Sequence, residues 1–212
     1  MYTSDNRVMY PRESSPLGIS WENWVAKWWD WCLNCELEGN NPLSDTSGDN
    51  CAKNQTVLDV WFLAGTMGGR SERNCEMVLG KSVFFPIIND LISYAEYQHL
   101  KTESDLLNYA RSDLDETSIL ELAVDDVEYM NLRDYRVRSN LFDIMLPSNL
   151  AKATFTQAIS DGYWVFLKPL PSGEHTIFFK GEKLAFDELN GAGNHMGQPK
   201  FKVEVKYHLM VR

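Results

Sequence analysis

Four sets of residues in this chain have types and spacings that could do chemistry: the pair Cys32 and Cys35, four histidines, an oxygen-rich loop at 45–50, and a tryptophan stripe between residues 21 and 31. Two cysteines three positions apart have the spacing of a dithiol redox pair or of half a zinc site. The other half of a zinc site needs a second close pair, yet Cys51 and Cys75 lie far apart in sequence with no histidine near either. Helical geometry puts Cys32 and Cys35 on the tryptophan side, where a thiol behaves as a small hydrophobe. Inert core thiols are therefore the first reading, a local redox pair the second and metal ligation the third. No metal site and no cofactor is expected.

The histidines are His99, His175, His195 and His208, and none stands at metal-ligand spacing from another. His175 follows Glu174 at the start of a strand-like run and His208 follows Tyr207 in another, so the two rings could meet across a sheet. A histidine beside a carboxylate is the minimum for general-base hydrolysis, with Asp161 or Glu174 as the orienting group. A histidine satisfied by local hydrogen bonds is the plainer alternative. No Gly-x-Ser-x-Gly or His-Glu-x-x-His occurs, and Gly65, Gly68 and Gly69 miss the phosphate-loop and dinucleotide spacings. The run Asp45-Thr-Ser47-Gly-Asp49-Asn50 places oxygens at alternate positions as a calcium loop does. It lacks the distal bidentate glutamate, so an Asx-rich turn is the simpler reading. Arg73, Arg136 and Arg138 suit buried ion pairs with acidic partners.

These residues must be held by elements that the patterning predicts. Ser20 is a plausible N-cap for a helix in which Trp21, Trp24, Val25, Trp28, Trp31, Cys32 and Cys35 share one face. The stripe reads as core first, with Trp29 at its rim as the best candidate for stacking on a ligand. Residues 40–54 read as a loop and 57–63 as a buried strand. A further strand at 81–88 is interrupted by Pro86, and residues 103–114 read as a helix. From 118 onward short runs of strand formers recur at 118–124, 127–130, 135–137, 141–146, 162–168, 175–180 and 201–211, with a long loop at 182–199. The run at 201–211 alternates apolar and polar residues, the mark of a half-buried strand. Trp164, in the run Tyr163–Leu167, is a second candidate for lining an aromatic cleft.

The chain has 212 residues, seven tryptophans, four cysteines and a net charge of −10. That length allows one large domain with a proper core. The acidity argues against nucleic acid, whose binding is driven by clustered lysine and arginine. The segment 103–134 carries ten acidic and two basic residues and reads as a solvated face. No apolar run approaches the roughly 20 residues a membrane helix requires. The amino-terminal residues form no signal peptide, so the chain reads as cytoplasmic as written. A chain whose leader has been removed reads the same way and would be exported. One glycosylation sequon, Asn54-Gln55-Thr56, matters only in a secretory context.

A longer pattern joins these pieces. It begins with Ser20-Trp-x-x-Trp-x-x-x-Trp-Trp-x-Trp31, Asn41-Pro-Leu-x-Asp45, Cys51, Gln55 and Val60-Trp-Phe-Leu-Ala-Gly-Thr66. Gly68-Gly69, Arg73, Cys75, Gly80-Lys81, Phe85-Pro-Ile-Ile-Asn89 and Tyr135-Arg136 extend it. Asp161-Gly-Tyr-Trp164, Leu170-x-x-Gly-x-His-x-Ile177 and Tyr207-His-Leu209 complete it. In this order the chain resembles an uncharacterised family of small bacterial proteins, some of them exported. The resemblance brings no reaction, cofactor or catalytic residue. It implies that Cys51 and Cys75 belong to the common pattern, whereas Cys32 and Cys35 are particular to this chain. In an oxidising compartment Cys51 and Cys75 would form a disulfide clamping the loop between them; in a cytosol they would stay reduced.

The expected architecture is α+β. An irregular arm (1–19) precedes a single domain (20–212), in which a helix/strand layer (20–117) packs on an antiparallel β-sandwich portion (118–212) of immunoglobulin-like or jelly-roll character, with the N-terminal Trp-rich helix against it. The expected function is a non-enzymatic binding or assembly module for an unknown protein or small-molecule ligand, with homo-oligomer formation left open. The alternative is a hydrolase using carboxylates and His175 in an aromatic-lined cleft near Trp29 or Trp164.

Overall fold

The computed structural model describes residues 8–34, 41–152, 154–184 and 200–212. Among the described residues ten strands occur, β1 (Val60–Phe62), β2 (Gly69–Met77), β3 (Ser82–Ser93), β4 (Thr117–Val124), β5 (Val127–Glu128), β6 (Arg136–Arg138), β7 (Phe142–Met145), β8 (Phe155–Leu167), β9 (Gly173–Leu184) and β10 (Lys200–Val211). The helices are α1 (Trp21–Leu33), α2 (Glu103–Asp115) and the single turn α3 (Ser148–Ala151). One sheet runs β1-β3-β8, with β6 and β7 both pairing with β8; the other runs β2-β10-β9-β4-β5. β1 is parallel to β3 and β2 is parallel to β10, while the other pairings are antiparallel. Among the described residues no helix is long and apolar enough to cross a membrane.

The first sheet is covered on both faces, which is why β3 and β8 read as continuous apolar runs and not as alternations. On one side lies α1. Ser20 caps it by accepting the Asn23 N–H, and Trp21, Trp24, Val25, Trp28, Trp29, Trp31, Cys32 and Leu33 are all buried. Trp21 and Trp24 meet Phe166 edge-on, and Trp28 does the same to Trp164. Such aromatic pairs add about 0.5–1.5 kcal/mol each beyond their area burial. Buried indole N–H groups also need acceptors, and four of the five in α1 find one, Trp21 Nε1 having none among the described residues. Trp24 donates to the Pro16 carbonyl, Trp28 to that of Leu63, Trp29 to Ser160 Oγ and Trp31 to the Lys53 carbonyl. The helix therefore orients four separate segments as well as filling the core.

On its other side the first sheet meets the second. Phe85 of β3 packs on Phe179 of β9, which stacks in turn on Tyr207 of β10. The approach is close enough that a Cβ placed on Gly181 would lie 2.6 Å from the Ile88 Cβ, so only glycine fits. The second sheet has water on its far face, so β9 from Ile177 and β10 from Val203 alternate buried and half-buried residues.

The two-sheet, sandwich-like α+β architecture agrees with the patterning, but the boundary expected at 117/118 does not separate two layers. Strands from before it (β1, β2, β3) and after it are interleaved in both sheets. Nor is the pairing purely antiparallel. β2 was not anticipated at all, because its inward side chains are Ser71, Arg73, Cys75 and Met77, too polar a set to read as a buried face. The described part of the arm is also more ordered than its prolines suggest. Met9 is buried and forms a bridge with Leu167, and Tyr10 N–H donates to the Phe166 carbonyl. Glycines 191, 193 and 197 of the expected 182–199 loop lie outside the described residues, as does His195.

Candidate functional site

The residues expected to act together as a hydrolase meet only in part: Glu174, His175 and His208 line one open recess of about 760 Å³, whereas Asp161 lies in the other sheet. His175 begins β9, with Nδ1 2.7 Å from Asp125 Oδ2 and Nε2 2.9 Å from the Pro171 carbonyl oxygen. Both ring nitrogens lie within hydrogen-bond distance of an oxygen, so each is already engaged by the protein and not turned to a substrate. Its partner is Asp125, at the β4–β5 turn, and neither Glu174 nor Asp161. Glu174 is exposed beside it, and Asp161 is fully buried in the opposite sheet. There Asp161 accepts two hydrogen bonds from Arg136, at 3.0 and 2.8 Å, one from Arg138 and one from the Gly162 N–H. Arg136 continues to Asp115 of α2, and these two carboxylates hold its guanidinium pKa above the ordinary value against the opposing effect of burial. This network ties α2 to β6 and β8. His208 lines the same recess as His175 and contacts exposed Glu72 across the β10–β2 pair.

The cysteine pattern divides cleanly. Cys51 and Cys75 form a disulfide with their Cα atoms 6.0 Å apart, joining the 41–56 loop to β2. Cys32 is buried in α1; Cys35 lies outside the described residues. The loop is also organised from within. Both Asp45 oxygens face backbone donors, Oδ1 those of Ser47 and Gly48 and Oδ2 that of Asn50, so the carboxylate closes an Asx turn where a calcium loop had been weighed. Burial opposes the charge on Asp45, but these N–H groups and the nearby Arg73 outweigh it and hold its pKa below the usual carboxylate value. Arg73, buried on β2, donates Nε to the Asp45 carbonyl, Nη1 to the Ala64 carbonyl and Tyr207 Oη, and Nη2 to the Gly65 carbonyl. It thereby pins the loop and the 64–65 segment to the second sheet. Asn54 of the sequon is exposed in this loop.

Of the two aromatic candidates, only Trp29 reaches a cleft. Trp164 is fully buried and stacked on Phe84 at 5.1 Å between ring centroids, because α1 covers that face of the sheet. Trp29 lies where the edges of α1, β3 and β10 come together, and borders a cleft of about 210 Å³. Its apolar wall includes Leu43, Leu91, Phe201 and Val203, and its polar groups are Thr66, Asn89, Asp90 and Glu96. An adjoining recess of about 240 Å³ shares Asn89, Asp90 and Phe201, and adds Tyr97, Tyr109, Asp113 and Lys183.

The strands dictate this arrangement. A bulge in β3 between Pro86 and Ile88 shifts the register ahead of Asn89 and Asp90. Asn89 sits opposite Gly162, where any Cβ would come within 2.6 Å of its own. The buried Asn89 Nδ2 has no hydrogen-bond partner among the described residues, a costly condition for a buried donor. In the recess Lys183, on the inward register of β9, is bonded to Asp113 of α2 and to Asp90 at 3.2 Å, and its ammonium lies 5.7 Å from the Phe201 ring centroid. Glu96 is exposed at the rim and accepts from Ser93 Oγ. Crowding by the surrounding protein raises its carboxyl pKa against that bond, with a further push from Asp90.

Sequence reasoning named only Trp29 in this cleft. Two signals could have found more of it. Lys183 extends the inward series Ile177, Phe179, Gly181, and Asp113 lies on the helical face of Leu106, Ala110 and Leu114. A charge at a core position marks a buried ionic group.

No protein-family model matches the chain, and no curated protein matches it. Among solved structures it is similar to the crystal structure of the cysteine protease inhibitor EhICP2 from Entamoeba histolytica, with 11% identity and a TM-score of 0.26. That match covers 72% of this chain and 96% of the other. A likeness of this degree carries no argument about fold or function.

Proposed function

We propose that this chain is a non-enzymatic binding module whose ligand site is the cleft beside Trp29. The single observation that carries the reading is the lining of this cleft: Trp29, Leu43, Leu91, Phe201 and Val203 with few polar groups, Thr66, Asn89, Asp90 and Glu96. That is the composition of a small-molecule site. The hydrolase alternative has less behind it, because His175 spends both nitrogens on Asp125 and Pro171 while Asp161 is neutralised by two arginines.

The same reading extends to lineage and location. An immunoglobulin-like or jelly-roll character is supported by strand connections that pass repeatedly between the two sheets, and a relation to the uncharacterised family of small bacterial proteins, some of them exported, by the sequence pattern. The Cys51–Cys75 disulfide supports an oxidising compartment. Binding of nucleic acid is disfavoured by the net charge of −10.

Native mass spectrometry of gently purified protein tests the site, with Asn89→Leu as control. The expected result is a small-molecule adduct on the wild type that the variant loses. An adduct retained equally by both would move the ligand elsewhere.

A further inference from the structure

The recess and the cleft share three walls, Asn89, Asp90 and Phe201, and differ in the charges around them. In the recess an ammonium sits between carboxylates and an aromatic ring: that of Lys183, bonded to Asp90 and Asp113 beside Phe201. In the cleft the same carboxylate and ring are joined by Glu96 and Trp29, and no lysine or arginine lines it among the described residues. Across the two cavities three acidic groups, Asp90, Asp113 and Glu96, face one base, Lys183. Aromatic walls with adjacent carboxylates attract an organic cation through the negative ring faces and through Coulomb attraction.

The geometry points to a ligand of one chemical class for this cleft: a small organic ammonium that carries an apolar or aromatic body. The ammonium lies toward Asp90 and Glu96 and the body against Trp29 and Leu91. This assignment rests on the cleft being the binding site proposed above.

Three probes that share one skeleton and differ in charge test it: phenylalaninamide (cation and carbonyl), 3-phenylpropanamide (neutral) and 3-phenylpropanoate (anion). Each is titrated calorimetrically into the full chain, while the Trp29 indole N–H resonance reports where it binds. The cation is expected to bind about tenfold more tightly than the neutral amide, the combined size of one partly exposed cation–π contact and one ion pair. Glu96→Gln should shrink that preference by weakening the cation more than the neutral amide. Equal binding of cation and neutral amide, with Trp29 shifted, overturns the charge assignment and leaves the cleft standing. Binding that leaves Trp29 unshifted, or failure of all three probes to bind, overturns both.

Discussion

Replacing Cys51 and Cys75 together by alanine removes one covalent link and little packed surface, so its cost can be worked from loop entropy. The disulfide closes a loop of sequence separation 24. A cross-link across about 24 residues lowers the entropy of the unfolded chain by an amount worth roughly 3.4 kcal/mol at 25 °C. The native loop keeps its other anchors: Arg73 Nε on the Asp45 carbonyl, the Asn74 N–H on the Ser47 carbonyl and the Trp31 indole on the Lys53 carbonyl. The variant should therefore fold to the same structure, with about 3 kcal/mol less stability and a melting temperature roughly 7–14 °C lower. Urea unfolding followed by circular dichroism measures this for the variant and for wild type with and without reductant. Reduced wild type should match the variant. A loss below about 1 kcal/mol would refute the assignment of the bridge as the loop's main constraint. Loss of the native fold would show that the three polar anchors do not hold the loop by themselves.

Other perturbations have equally definite outcomes. Arg73→Met removes the donors to the Asp45 and Gly65 carbonyls, while the Ala64 carbonyl and Tyr207 Oη keep their bonds to each other, and should cost about 3–5 kcal/mol in urea unfolding. Asp45→Asn should destabilise at pH 7. The folded-state pKa of Asp45 is depressed below 3.8, so its contribution is complete above that value and is lost as pH falls through the folded pKa. The stability gap between variant and wild type should thus close in acid, and a gap independent of pH would contradict the Asx-turn assignment. Gly181→Ala forces β9 away from Ile88 and should cost about 1–3 kcal/mol, seen as a lower melting temperature.

Much of the fold was legible because burial writes different patterns into different strands. β10 alternates and β8 does not, and each pattern reports how many faces of its sheet are covered. α1 was legible from its stripe and its Ser20 cap, and α2 from Leu106, Ala110 and Leu114. β2 escaped because a buried arginine occupies the position where an apolar residue would have marked the strand. The candidate site was less legible for a related reason. Trp29 announced itself by type, but Asn89 and Asp90 acquire meaning only after the β3 bulge and Gly162 have set their neighbours. His175 drew attention as the histidine beside a carboxylate, and the fold satisfied it with Asp125, a residue 50 positions away. Sequence adjacency to Glu174 was no guide to that contact.

The central claim is that the cleft beside Trp29 is where this protein meets its ligand. A fragment screen read by backbone and indole amide resonances of the uniformly labelled protein tests it most directly. Binding fragments should shift Trp29, Asn89, Leu91 and Phe201 together, while His175 and Asp125 stay unmoved. Shifts centred on His175 and Asp125 with this cleft silent would contradict the claim.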